Sequence, residues 1–190
     1  AGVATSDNLY RIAGDGVNTV VAAGAGSAVV VSPNRGATFA SVVTEPSLLP
    51  LDIYALAVKD SRTFLVGTAA SGRIFYTRDG GQTAWTPINF TGTGVGAVRD
   101  IVFATDEVGW FVVDNNTPTG SLWATWDGGN TWVRNDGGTA RITNWPVLNR
   151  INRVAVPNGN LLTNANYVIC GGLAGDAVDG VLVLGAPNIK

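Results

Sequence analysis

TWDGGNTW, residues Thr125–Trp132, decides the architecture of this chain. Thr125, Asp127, Gly129 and Thr131 alternate with variable residues, and Trp132 follows directly. The chemistry of such a stretch is mostly local. A short carboxylate accepts hydrogen bonds from turn N–H groups, glycine permits positive φ, and threonine bonds to nearby backbone. The aromatic ring then anchors the turn by packing between sheets. Two other stretches echo it: TRDGGQTAW from Thr77 to Trp85, one residue longer, and SPNRGATF from Ser32 to Phe39. In the second copy Thr77, Asp79, Gly81 and Thr83 are in phase and Trp85 is displaced by one. In the first, Ser32, Asn34, Gly36, Thr38 and Phe39 form a softened version. The three starts lie 45 and 48 residues apart, close to the ~40–50 residues of one blade in a propeller array.

The flanking sequence repeats with the same period. IYALAVKD, TFLVGTA and RIFYTRD precede the second box, and VRDIVFAT, VGWFVVDN and SLWATWD precede the third. LYRIAGD, TVVAAGA and AVVVSPN lead into the first. INRVAVP, NYVICGG and VLVLGAPN recur after the last, with Asn188 where a fourth box would begin. Each run is short, rich in β-branched and aromatic residues, and bounded by Gly, Asn, Asp or Pro, which reads as strand. Runs such as Ile53–Val58 are apolar at successive positions, a pattern suited to sheets covered on both faces. No helix is predicted. The expected fold is an all-β propeller of four-stranded antiparallel blades, about four in number. As one domain over 1–190, its repeats span about 9–43, 53–90, 98–136 and 151–190. The fourth group lacks a last strand. Either residues 1–8, with Gly2–Thr5 as a closing strand, complete the ring, or the chain is part of a larger propeller.

The boxes resemble Asp-box (BNR) repeats, whose pattern is Ser/Thr-x-Asp-x-Gly-x-Thr-Trp. Thr125–Trp132 matches it fully, and the period covers nearly the whole chain. The resemblance implies that each box is the turn between the third and fourth strands of a blade, away from the usual ligand face, with a structural role. It implies kinship with non-catalytic members (photosystem assembly factors, sortilin-like receptors, phage virion modules) more than with sialidases.

Composition narrows function. Histidine is absent, which removes Ser-His-Asp and Cys-His nucleophiles and His-ligated zinc. Lys59 and Lys190 are the only lysines and the ten arginines are scattered, so no nucleic-acid surface is expected. No apolar run approaches the roughly 20 residues of a membrane-spanning helix. Cys170, in NYVICGG, reads as a core thiol. No cofactor motif is present. Asp114–Asn116 lacks the carboxylate spacing of a calcium loop, so no metal is expected.

Three functional classes follow. A glycoside hydrolase is the alternative to binding: YRIA at Tyr10–Ala13 resembles the sialidase Tyr/Phe-Arg-Ile-Pro motif, which would make Arg11 a carboxylate-gripping arginine. Ala13 replaces its proline, and glycoside hydrolysis needs two placed carboxylates, whereas Glu45 and Glu107 are the only glutamates. The favoured reading is a non-enzymatic module whose loops meet a protein partner or a glycan. The candidate loops are Thr44–Leu51, Thr91–Val98, Asp114–Gly120, Asp136–Arg150 and Gly171–Asp179. The longest carries Arg141, Trp145 and Arg150, an aromatic among arginines suited to stacking on a sugar or filling a protein pocket. Trp126, at a variable box position, is expected to be exposed, and Trp110, Trp123 and Trp132 to be core. The third class is a component of a homo-oligomer or larger assembly, such as a virion or an extracellular surface. The Gly-, Ala-, Asn- and Thr-rich, lysine-poor composition suits it.

Overall fold

The computed structural model describes residues 5–42, 51–69, 72–83, 85–88, 96–114, 120–134, 148–156, 167–174 and 179–185. These form fifteen strands in four antiparallel sheets, in unbroken chain order. The first sheet holds β1 (Leu9–Gly14), β2 (Val20–Gly24), β3 (Val29–Ser32) and β4 (Ala40–Ser41). The second holds β5 (Ile53–Val58), β6 (Phe64–Thr68), β7 (Ile74–Thr77) and β8 (Thr86–Ile88). The third is β9 (Ala97–Phe103), β10 (Gly109–Asp114), β11 (Ser121–Thr125) and β12 (Val133–Arg134). The fourth holds β13 (Leu148–Ala155), β14 (Tyr167–Ala174) and β15 (Asp179–Gly185), three strands among the described residues. The only helical turn there is a 3-10 piece, Ala25–Ser27. Of the expected closing strand, Gly2–Ala4 lie outside the described residues, while Thr5 sits in a local turn with its hydroxyl 2.6 Å from Asp7 Oδ2.

Contacts divide the chain into two compact units, Ala1–Asn89 and Phe90–Lys190, each with two of the sheets. Why the first two strands of the first three sheets meet so regularly is visible in their turns. Asp15 Oδ1 accepts the amides of Val17, Asn18 and Thr19 at 2.8–3.0 Å. Asp60 Oδ1 accepts those of Arg62 and Thr63 at 2.7 and 2.8 Å, and Thr105 Oγ1 those of Glu107 and Val108 at 3.3 and 3.0 Å. One side-chain oxygen thus replaces backbone partners at each hairpin.

In the first unit Val21, Ala23, Ile53, Phe64, Phe75 and Trp85 are buried in one cluster. In the second, Trp110, Val112, Leu122 and Ala124 pack with Ile151, Val154 and Cys170. Burying each such large side chain contributes about 1.5–3 kcal/mol. Strands β6, β10 and β11 are buried at every position, as the non-alternating apolar runs predict. β1 is the exception. Leu9 and Ile12 are exposed, whereas the residues in equivalent register, Ile53 and Leu56 in β5 and Val98 and Ile101 in β9, are buried.

Candidate functional site

Each box follows the third strand of its sheet and leads into the fourth, the place the resemblance implies. In the third box the buried Thr125 hydroxyl donates to Asp127 Oδ1 at 2.8 Å and accepts the Gly129 amide at 2.9 Å. Asp127 also accepts the Thr131 amide at 2.9 Å and the Thr131 hydroxyl at 2.5 Å. The Trp132 indole donates to the Gly129 carbonyl at 3.1 Å, and its ring meets Phe111 edge-on at 4.7 Å. The second box repeats this. Thr77 donates to Asp79 Oδ1 at 2.7 Å, Gly81 donates to the Thr77 oxygen at 3.0 Å, and Thr83 donates to Asp79 Oδ2 at 2.5 Å. Despite the extra residue, Trp85 reaches the core and is buried.

The first box keeps the geometry without the charge. Ser32 donates to Asn34 Oδ1 at 2.8 Å, and Gly36 donates to Ser32 Oγ at 2.8 Å. The last bond reverses: Asn34 Nδ2 donates to Thr38 Oγ1 at 2.8 Å, where threonine donates in the other boxes. Its aromatic, Phe39, is only half-buried. The fourth copy, at Asn188, lies outside the described residues.

The boxes also dock on their own hairpins, a feature with no sequence signature beyond its partners' spacing. The amides of Arg35, Gly80 and Gly128 donate to the carbonyls of Asn18, Arg62 and Glu107, each at 2.8 Å. This docking carries two successive positive-φ residues per box: Arg35 and Gly36, Gly80 and Gly81, Gly128 and Gly129.

These bonds hold the acids in their ionised state. The Thr83 and Thr77 hydroxyls, with the Gln82 and Gly81 amides, hold Asp79 down at about 2 against its partial desolvation. For Asp127, desolvation acts to raise the pKa but is outweighed by the Thr131 and Thr125 hydroxyls and nearby amides. Asp15 is lowered chiefly by the Val17 amide, and Asp60 by its turn bonds in spite of desolvation. Such acids are spent on turns and are poor proton donors near neutral pH.

The opposite end of the sheets carries a different recurring device. Each first strand has a register irregularity near its start that leaves one residue unmatched: Tyr10 in β1, Tyr54 in β5, Arg99 in β9 and Asn149 in β13. A bulge of this kind re-aims its side chain. In the first unit Tyr10 and Tyr54 meet edge to face, centroids 5.7 Å apart, with Tyr10 exposed and Tyr54 half-buried. Beneath them the Gly26 amide donates to Asp52 Oδ1 at 3.0 Å, and Ser27 Oγ to the Leu51 carbonyl at 3.0 Å. This ties the β2–β3 turn to the entry of the second sheet. In the second unit Arg99 donates through Nε and Nη2 to Asp114 Oδ2 at 3.2 and 2.7 Å. Asp114 is 1% exposed, so the pair fixes a half-exposed guanidinium at the end of β10. Asp100 Oδ2 accepts the Val154 amide at 3.2 Å and joins β9 to β13.

The residues singled out for binding fare differently. Trp126, the least buried of the described tryptophans, is half-buried and packs one side on the core cluster of the second unit. It continues the period-two face of Leu122 and Ala124, so alternation turns it inward. Arg150 belongs to β13, opposite Leu173, and not to the preceding loop; β14 likewise runs to Ala174, into the stretch read as a loop. Arg141 and Trp145 lie outside the described residues, as does most of every candidate loop but Gly171–Asp179. Trp110, Trp123 and Trp132 are buried as expected. Arg11, the residue of the sialidase resemblance, is half-buried and donates to the Tyr10 carbonyl at 3.1 Å.

No protein-family profile and no curated protein sequence matches the chain. Solved structures do. The structure titled YCF48 bound to D1 peptide superimposes with a TM-score of 0.61 at 13% identity, covering 87% of this chain and 48% of that one. YCF48 from Cyanidioschyzon merolae gives 0.65 at 16% identity, covering 96% and 52%. A K499G mutant of the NanB sialidase from Streptococcus pneumoniae gives 0.53 at 12% identity, covering 92% and 30%. The chain thus spans about half the length of the two YCF48 structures. Its fold is that of a partial, Asp-box-like β-propeller, with three four-stranded antiparallel sheets and one of three strands among the described residues.

Proposed function

We propose that this chain is a non-enzymatic binding propeller that seats a segment of a protein partner on the end of its sheets remote from the boxes. The observation that carries this reading is the pair of bulges at the starts of β1 and β5, where Tyr10 and Tyr54 meet edge to face at that end of the first unit. Aromatic residues and arginine are also the side chains that dominate protein contacts. The structure of YCF48 with a D1 peptide adds a precedent for peptide binding on this fold.

Hydrolysis has less behind it. Among the described residues, Asp15, Asp60, Asp79 and Asp127 are held ionised by their own turns. Glu107 is exposed in the hairpin on which the third box docks. Neither arrangement supplies the raised acid and second carboxylate that glycosidases use.

A displayed random-peptide library, selected on the folded chain, tests the proposal. Selected peptides should lose about tenfold or more in affinity to Tyr10→Ala or Tyr54→Ala, with each variant still folded by thermal melt. Peptides that bind both variants as tightly as the parent chain would overturn it. So would turnover of fluorogenic glycosides by the purified chain.

A further inference from the structure

Ile12, Leu56, Ile101 and Ile151 occupy one equivalent place, the second residue after the bulge of each first strand. The last three are 6%, 5% and 0% exposed, whereas Ile12 is 71% exposed. The residue before the bulge repeats the contrast: Leu9 is exposed where Ile53 and Val98 are fully buried. The box aromatic repeats it again, since Phe39 is half-buried where Trp85 and Trp132 are buried. Register sets Ile12 opposite Ala22 and Ala22 opposite Val30, so this face of the first sheet is apolar across β1, β2 and β3. Large apolar side chains left together on one exposed face mark an interaction surface.

The packing of the other sheets shows what fits such a face. In the second sheet Ile53, Leu56 and Phe64 are covered by Val21, Ala23 and Val29, which lie on the opposite face of the first sheet. In the fourth sheet Ile151, Val154 and Cys170 are covered in the same way by Trp110, Val112 and Leu122 of the third. One face therefore receives the opposite face of another sheet of the same kind. The fourth sheet has a face of that opposite kind to offer. Ala155, next to the buried Val154, is exposed, and Ile169, its partner across the ladder, is half-buried.

We propose that two copies of this chain associate head to tail, the first sheet of each seated on the fourth sheet of the other. The contact continues the stacking already present within each unit and needs no new kind of surface. A second copy is the occupant because the chain itself carries both complementary faces. The chain also spans 48% and 52% of the two YCF48 chains, so two copies have the length of one. Contacts between unlike faces either close, as in this pair, or grow into open chains.

Light scattering on the purified full chain, over a concentration series, tests this. The expected mass is twice the 19.6 kDa of one chain. Ile12→Asp should raise the concentration needed for pairing by about tenfold or more and remain folded by circular dichroism, because Ile12 is exposed within its own chain. Ala155→Arg, on the fourth sheet, should do the same. An equimolar mixture of the two variants should pair again, because one parental contact is restored between unlike copies. Single copies of the parent at every concentration would overturn the proposal, whether or not the variants fold. So would mass growing beyond two copies, a pair that survives both variants, or a mixture that stays dissociated. Loss of pairing in Ile12→Asp but not in Ala155→Arg would mean that first sheets pack on each other, and would overturn the head-to-tail arrangement.

Discussion

The first box is a natural test of how much the charge in the others matters. Asn34 makes the bonds of Asp127 with one hydrogen reversed, so Asp127→Asn should fold with the same turn. The carboxylate accepts from the Thr125 hydroxyl, the Thr131 hydroxyl and the Thr131 amide. Bonds to a charged group contribute about 1.5–3 kcal/mol against about 0.5–1.5 for neutral ones, a nominal difference of about 1 kcal/mol per bond. Asp127 is exposed, and solvent screening reduces the three-bond sum to about 1 kcal/mol. A chain of this size should then melt about 2–4 °C lower. Asp127→Ala should cost two to three times as much, because the fully buried Thr125 hydroxyl loses its acceptor, a loss of about 1–3 kcal/mol. The pH dependence separates the contributions. Asp127 is lowered in the folded state, so its stabilisation is fully present above the unfolded value of about 3.9 and disappears as pH falls through the folded value. The gap between parent and Asp127→Asn should therefore hold from neutral pH down to about 3.9 and narrow as pH falls further. Thermal melts followed by tryptophan fluorescence on either side of that pH would decide. If Asn is as damaging as Ala at neutral pH, or if the gap is independent of pH, the charge-assisted account of the box is wrong.

Other perturbations probe the packing around the boxes. Trp132→Ala should cost about 3–5 kcal/mol as a large core deletion, and Phe39→Ala distinctly less because that ring is only half-buried; denaturant melts with equal losses would contradict this ranking. Gly81→Ala should destabilise by more than about 2 kcal/mol. Gly81 has φ +78°, and an added Cβ would lie 2.8 Å from the Cβ of Val42; a melting temperature unchanged from the parent would refute this. Cys170 is fully buried and its thiol is pushed up to about 12 by desolvation. It should resist a thiol-specific disulfide reagent at pH 8 until urea unfolds its sheet, and rapid native labelling would count against it.

The repeat was legible from residues alone. Thr125, Asp127, Gly129 and Thr131 interact with one another within seven residues, and local chemistry of that kind is written in local sequence. Strand existence was legible for a related reason, since continuous apolar runs have no other home than a sheet covered on both faces. The degree of exposure of Trp126 was not legible, because it depends on which face of the sheet its neighbours cover. The docking of Arg35, Gly80 and Gly128 amides on hairpins 17 to 21 residues earlier was invisible for the opposite reason: backbone groups carry no residue identity. The bulges at Tyr10, Tyr54 and Arg99 were equally hidden, because a one-residue slip in register depends on the partner strand. Sequence by itself determined the repeat, its staple and the classes of chemistry the chain lacks. Tertiary structure alone decided which side chains reach the surface together, because that is set by register and burial between segments far apart in the chain.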